Sequence, residues 1–148
     1  MSSVKIKAKL VNTTDPQFLP SRKYPDDAGA DLRARIDSPI RLYVQDVVKV
    51  PTGVAVEIPN GCAGFIQPRS GASLKGKVAI TGTIDPNYRG ELCITAYNPK
   101  DTGYVMIDPG ERLAQLIVVP VFVAEFEVVD ELSQTDRGEN GFGSTGRV

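Results

Sequence analysis

The chain has 148 residues, 41% hydrophobic and 24% charged, with 17 basic against 18 acidic side chains and a formal net charge of −1. That length suits one domain with one core, the composition is neither disordered nor fibrous, and the balanced charge supplies no bulk field for holding nucleic acid or an anionic membrane. Histidine is missing and the two cysteines, Cys62 and Cys93, form no CxxC pair, which excludes histidine-based triads and most zinc sites and points to buried, inert thiols in a reducing compartment.

In chain order, Val4, Ile6 and Ala8 alternate with lysines and predict a first half-buried strand. This start lacks the continuous apolar run of a signal peptide, so a cytoplasmic protein is expected. The turn-rich stretches "DPQFLP" and "SRKYPDDAG" follow, and then "DDAGADLRA" puts Asp31 at the start of a strand. A carboxylate there reads either as an exposed loop acid or as a Mg²⁺ ligand, direct or through the ion's waters. Val54, Val56 and Ile58 mark another strand between "PTG" and "PNG".

Residues 67–76, "QPRSGASLKG", combine Arg69, Ser70 and Gly71. An arginine, hydroxyls and glycine amides suit phosphate oxygens, but a polar turn with a helix cap at Ser70 or Ser73 has the same composition. The spacing is not that of a P-loop, and this is the one place where a short helix is expected. Residues 82–91, "GTIDPNYRGE", read first as a type I turn, with Asp85 opening it and Pro86 presetting the next φ. The turn does not account for Gly82 and Tyr88; a stiff hairpin presenting one carboxylate beside one aromatic ring does. Leu92, Ile94 and Ala96 then alternate with Cys93 and Thr95 as a further strand.

"PGERLAQLIV" sets Gln115 in an otherwise apolar strand with Arg112 at its entrance; a buried amide there needs a partner, in the protein or in a ligand. Leu116 to Ala124 are apolar on both faces, as in a strand central to the sandwich or one covered by a second subunit. Gln115, Pro120, Glu125 and Glu127 disqualify the region as a membrane span. After Leu132 the composition turns glycine-rich and polar, which predicts a flexible tail, although Phe142 set among glycines leaves a functional role open. The whole reads as an all-β protein, a jelly-roll sandwich or barrel, with a β domain over residues 1–132 and a C-terminal arm over 133–148.

The motifs "AGADL", "PRSGAS", "GTIDPNYRGE", "GERLAQL" and "RGENGFGSTG" occur in an order that resembles the five ordered motifs of the trimeric dUTPases, over residues 28–146. The resemblance implies a Mg²⁺-assisted enzyme that hydrolyses dUTP to dUMP and pyrophosphate, removing dUTP from the DNA precursor pool and supplying dUMP for thymidylate. It also implies a homotrimer with active sites shared between subunits, in the cytoplasm or, in a eukaryote, the nucleus. By position, Asp85 would activate the water that attacks the α-phosphorus. A carboxylate is a weak general base worth perhaps 10²–10⁴-fold, so alignment and charge neutralisation would supply the rest. Tyr88 would lie under the deoxyribose and exclude a 2′-hydroxyl. Arg69, Ser70 and Gly71 would hold phosphates, Asp31 would reach Mg²⁺ through water, Gln115 would contact the nucleotide, and Arg112 would act behind them. Phe142 would cover uracil while Arg137, Gly143, Ser144 and Thr145 close over the phosphates as a lid.

Two positions depart from the family's pattern. Ala79 stands where many relatives have an asparagine that reads uracil, which leaves uracil to the backbone around Ile80 and Gly82; Asn140 stands where glycine is frequent. The sister family of dCTP deaminases is the alternative, disfavoured by Tyr88 and the Phe-Gly-Ser lid.

Overall fold

The computed structural model describes residues 4–141, so the expectations for Phe142, Gly143, Ser144 and Thr145 fall outside the described residues. Among these residues there are ten strands: β1 (Lys7–Leu10), β2 (Ala30–Arg33), β3 (Ile40–Tyr43), β4 (Val47–Glu57), β5 (Cys62–Pro68), β6 (Val78–Ile80), β7 (Gly82–Ile84), β8 (Glu91–Tyr97), β9 (Tyr104–Ile107) and β10 (Arg112–Pro120). The one α-helix among them, α1 (Ser70–Leu74), lies in the expected stretch, and a single 3₁₀ turn spans Pro16–Phe18. Strands pair antiparallel throughout, in one sheet of order β1-β4-β8-β6, a second of order β2-β10-β5-β7, and a two-stranded ribbon β3-β9. Among the described residues no helix is long and apolar enough to cross a membrane.

The period-two alternation read from the sequence becomes the core. Leu92, Ile94 and Ala96 of β8 are fully buried, and they meet Val50, Val54 and Val56 of β4 and Leu32, Leu113 and Leu116 of the second sheet in one cluster. Side chains on alternate positions of a strand point to opposite faces, so Cys93, Thr95 and Tyr97 stay only half-buried. Gly64 of β5 faces inward, where an added Cβ would come within 3.1 to 3.3 Å of Ile58, Ile84 and Leu116; the absent side chain brings the two sheets close.

β4 does not run straight beside β8. Its pairing jumps from Pro51 opposite Cys93 to Ala55 opposite Glu91, so a wide bulge interrupts the ladder. Gly53 takes φ +73° there, a left-handed conformation that glycine adopts at no steric cost. The bulge is held from β8: Thr52 Oγ1 donates to the Leu92 carbonyl at 2.7 Å, and Gly53 N–H donates to Glu91 Oε1 at 2.7 Å.

The apolar run from Leu116 to Ala124 divides in two. Its first half lies in β10, paired with β5 throughout but with β2 at Leu116 alone, and Leu116 is buried. The strand stops at Pro120, opposite Cys62, because β5 starts there and offers no further partner. Beyond the Val121 N–H bond to the Gly61 carbonyl (2.9 Å), the chain is unpaired, and Phe122 (101% exposed) and Phe126 (95%) project from it. In the strand half Leu116 is buried while Ile117, Val118 and Val119 stay half-buried, so the expected two-sided covering is incomplete within this chain.

The buried polar residues Thr52, Lys77 and Asn98 are paired into the backbone, whereas Arg33 Nε is buried without a partner among the described residues. Asn98, fully buried, donates through Nδ2 to the Leu42 carbonyl (3.0 Å) and accepts at Oδ1 from Lys100 N–H (3.0 Å), which joins β3 to the turn after β8. Lys77 donates to the Met106 carbonyl at 3.0 Å and pairs with Glu111. Replacing Asn98 with alanine strips a partner from two main-chain groups, and we expect a loss of about 1–3 kcal/mol in a denaturant titration. A change below about 0.5 kcal/mol, the range of neutral surface substitutions, would contradict this role.

Candidate active site

The stretch "GTIDPNYRGE" forms the turn from β7 to β8, and because β7 pairs with β5 while β8 pairs with β4 and β6, the expected hairpin is instead a tight turn that carries the chain from one sheet to the other. Tyr88 N–H donates to the Asp85 carbonyl at 3.1 Å and closes a four-residue turn in which Pro86 holds the second position. Arg89 Nη1 braces it through the Pro86 and Tyr88 carbonyls at 2.6 and 3.0 Å. Asp85 is thereby held at the tip with its side chain exposed, and among the described residues its carboxylate accepts no protein hydrogen bond. Gly82, Asp85 and Tyr88 share a shallow groove of about 280 Å³ with Lys49, Glu91 and Cys93.

Cys93 is half-buried rather than buried, a correction to the expectation for the thiols; Cys62 is half-buried too. The Cys93 thiol is pushed up by burial, against the pull of Lys49 and with a smaller push from Glu91. It therefore stays protonated at neutral pH and offers no nucleophile.

A second cleft, of about 480 Å³, gathers a different set. Asp31, Arg69, Ser70, Gly71, Arg112 and Gln115 line it, joined by Lys23 and Tyr24. β10 pairs Gln115 with Asp31 on one side and with Gln67 on the other, which brings the strand openings and the start of α1 together. Asp31 is clamped: Arg69 Nε lies 2.7 Å from Oδ1 and Arg112 Nη1 3.5 Å from Oδ2. Arg69 Nη1 also donates to the Arg112 carbonyl at 2.9 Å, so Arg112 supports Arg69 as well as the acid. Arg69 caps α1 without a side-chain hydrogen bond, and Ser73 is the first residue of the turn to donate back, to the Arg69 carbonyl. The amides before it, at Ser70 and Gly71, are the kind that a helix start leaves for an outside acceptor.

Gln115 answers the question its position raised. Its Nε2 donates to the Pro68 carbonyl at 2.9 Å, and its amide packs onto Gly29, where a Cβ would overlap Oε1 and stand 2.8 Å from Cδ. The glycine of "AGADL" is thus required by a residue more than eighty positions away.

Other expected residues stand apart from both clefts. Ile80 ends β6, in the opposite sheet from Gly82, and lines neither one. Ala79 is packed in the core against β8, so this position offers no side chain to a ligand. Arg137 lies on the exposed C-terminal segment, its Nε donating to the Asn140 carbonyl at 2.8 Å. Lys23, Tyr24 and Lys49 were not legible as site residues, because turns and strand pairings distant in sequence bring them there.

A family model described as dUTPase matches residues 15–146. A deoxyuridine 5′-triphosphate nucleotidohydrolase of Burkholderia cenocepacia (strain HI2424) is 41% identical, covering 97% of this chain and 99% of its own. One of Aeromonas salmonicida (strain A449) is 44% identical over 87% of each chain. Among solved structures, the Staphylococcus bacteriophage 80alpha dUTPase with dUpNHpp aligns with TM-score 0.85 and 32% identity, covering 98% of this chain and 100% of that one. A mutant dUTPase from phage phi11 of S. aureus, which coordinates a structural Mg(II) ion, aligns with TM-score 0.75 and 28% identity, covering 86% and 98%.

The seat of Gln115 makes a sharp expectation. Gly29→Ala should cost about 1–3 kcal/mol through overpacking, and Gln115→Ala in the same chain should recover much of it. Strictly additive losses in a double-mutant cycle of thermal melts would show that the two sites do not press on each other.

Proposed function

Because the chain belongs to the dUTPase family and hydrolyses dUTP to dUMP and pyrophosphate, we propose that its two clefts are the halves of one active site, completed between neighbouring subunits of a homotrimeric jelly roll. The observation that carries this reading is the sorting of side chains. The acid and the aromatic ring occupy one groove, the arginines and helix-start amides the other, and no residue lines both. A nucleoside triphosphate needs both at once.

In this reading the groove at the β7-to-β8 turn takes the nucleoside. Tyr88 lies under the deoxyribose, backbone around Gly82 rather than Ile80 meets the uracil edge, and Asp85 accepts the proton of the water that attacks the α-phosphorus as the bond to the leaving pyrophosphate breaks. The freedom of the Asp85 carboxylate from protein partners supports this role. Arg69, Ser70 and Gly71 hold the phosphates, Arg112 steadies Arg69, and Gln115 faces the α-phosphate. Arg137, with Phe142, Gly143, Ser144 and Thr145 beyond the described residues, closes the site as a lid from residues 133–148.

The donor set of the phosphate cleft fits Mg²⁺ in a particular way. Among the described residues no group of three metal-ligating side chains exists, so the protein offers no cage. Of the two carboxylates that line the cleft, Asp27 accepts from the Tyr24 N–H, and Asp31 suits an ion that keeps waters and takes its direct ligands from phosphates. When bound, the ion would neutralise phosphate charge, and Asp31 would hold it through water.

Trimer assembly is supported by an uncovered surface and its charge. β1 is an edge strand, with Val4, Ile6 and Ala8 lining the apolar side of a groove of about 610 Å³ together with Leu116 and Val118, while Arg22, Asp26 and Asp27 line its polar side. In the exposed segment after β10, Phe126 and Val128 alternate with Glu125 and Glu127, as Ile6 and Ala8 alternate with Lys5, Lys7 and Lys9. A neighbour's segment added to the free edge of β1 would bury its apolar face in the groove and set glutamates beside lysines. The family match over residues 15–146 favours dUTP hydrolysis over dCTP deamination. We place the reaction in the cytoplasm, or the nucleus in a eukaryote.

Asp85→Asn should abolish pyrophosphate release while dUTP affinity stays within about tenfold, roughly 1.4 kcal/mol; equal losses of binding and turnover would refute a chemical role. Mixed trimers of Asp85→Asn and Arg69→Ala subunits should regain activity that neither homotrimer has, whereas a site contained in one chain predicts none. Lys7→Glu with Lys9→Glu should weaken assembly in sedimentation analysis, and Glu125→Lys with Glu127→Lys should restore it. Failure of the second pair to restore the trimer would remove the proposed strand addition.

A further inference from the structure

Tyr88 is 43% exposed, yet it is not free to move. Its hydroxyl donates to the Glu91 carbonyl at 3.0 Å. The outer end of the ring rests directly on Gly90, where a Cβ would overlap the hydroxyl oxygen and lie 2.6 Å from Cζ and 2.9 Å from Cε2. The backbone on the far side of the turn therefore sets the ring's height and tilt.

That backbone is itself tied down from another strand. Glu91 Oε1 accepts the N–H of Gly53, a buried residue in the β4 bulge that has no other described acceptor for this proton. Gly53 is confined in turn: its carbonyl accepts from Val11 N–H at 2.8 Å, and an added Cβ would meet Arg35 Cγ at 2.9 Å and Thr13 Cγ2 at 3.2 Å. A line of contacts thus runs from the fixed bulge through the Glu91 side chain to the Glu91 carbonyl and so to the Tyr88 hydroxyl.

We propose that Gly90 and Glu91 are positioning residues for sugar selection: Gly90 is the seat of the Tyr88 ring, and Glu91 transmits the rigidity of the β4 bulge to it. The inference rests on the reading of Tyr88 as the surface under the deoxyribose. Rejecting a ribonucleotide requires the ring to resist displacement by one hydroxyl group, and a ring hinged only at its own Cβ would yield to it. The bulge explains why resistance comes from outside the turn. Glu91 touches no substrate in this role; its carboxylate is committed to Gly53.

The test is the ratio of kcat/KM for dUTP to that for UTP. The fraction of correctly folded enzyme cancels from this ratio, so a merely structural loss leaves it unchanged. Glu91→Ala should lower it by about tenfold or more, Glu91→Gln, which keeps an acceptor oxygen for Gly53, should hold it within about threefold of the parent, and Gly90→Ala should lower it about as much as Glu91→Ala. Tyr88→Phe, which removes only the hydroxyl tie, should fall between. If Tyr88→Ala collapses the ratio while Glu91→Ala and Gly90→Ala leave it within about twofold, the positioning role is overturned and the sugar filter stands. If Tyr88→Ala leaves the ratio unchanged, the sugar filter fails and this inference fails with it.

Discussion

β5 is bonded along both edges, to β10 on one side and β7 on the other, and the placement of Gln115, Arg69 and Asp85 follows from that double ladder. The β10 edge brings Gln115 opposite Gln67 and leads, past Pro68, into Arg69 and the start of α1. The β7 edge carries Gly82 to Ile84 opposite Ile66 to Gly64 and ends at the turn that holds Asp85. One strand therefore separates the arginine cleft from the turn that carries Asp85. Because a one-residue slip would turn each inward side chain outward, the buried alternation of β5 and β10 holds both clefts in register.

The electrostatics of the cationic cleft follow from scarcity. Arginine has no acceptor and cannot shed its charge, so Arg69 and Arg112 turn to the one carboxylate between them, Asp31, whose side chain is largely shielded from solvent. A pair of this kind is worth little as stabilisation, since removing charges from water offsets most of the attraction. Its consequence lies in order: both arginines are held in the cleft against a fixed internal anion. At the β7-to-β8 turn the arrangement differs. Among the described residues Asp85 forms no ion pair, although Lys49 lines the same groove.

Two glycines act by the absence of a side chain. Gly29 makes room for the Gln115 amide and Gly90 for the Tyr88 ring, and at both places the neighbour is a group assigned to the nucleotide. Gly53 differs in kind, since its positive φ is what the β4 bulge needs. Close approach and unusual backbone are separate reasons for glycine, and they fall at separate points of the same site.

Local chemistry was enough for much of this. Alternation at Leu92, Ile94 and Ala96 determined which face of β8 would be buried, the turn residues of "GTIDPNYRGE" determined a tight turn but not the hairpin expected around it, and "SGASL" alone promised a helix, because each depends on spacing within a few residues. Long-range pairing decided the rest. Asp31 and Arg112 are neighbours only because β2 and β10 pair across the chain, Ile80 and Gly82 part company because the chain changes sheets between them, and the apolar run after Leu116 is half strand and half exposed because β5 supplies no partner beyond Cys62. Such contacts join residues tens of positions apart, and no local pattern of side chains carries that information.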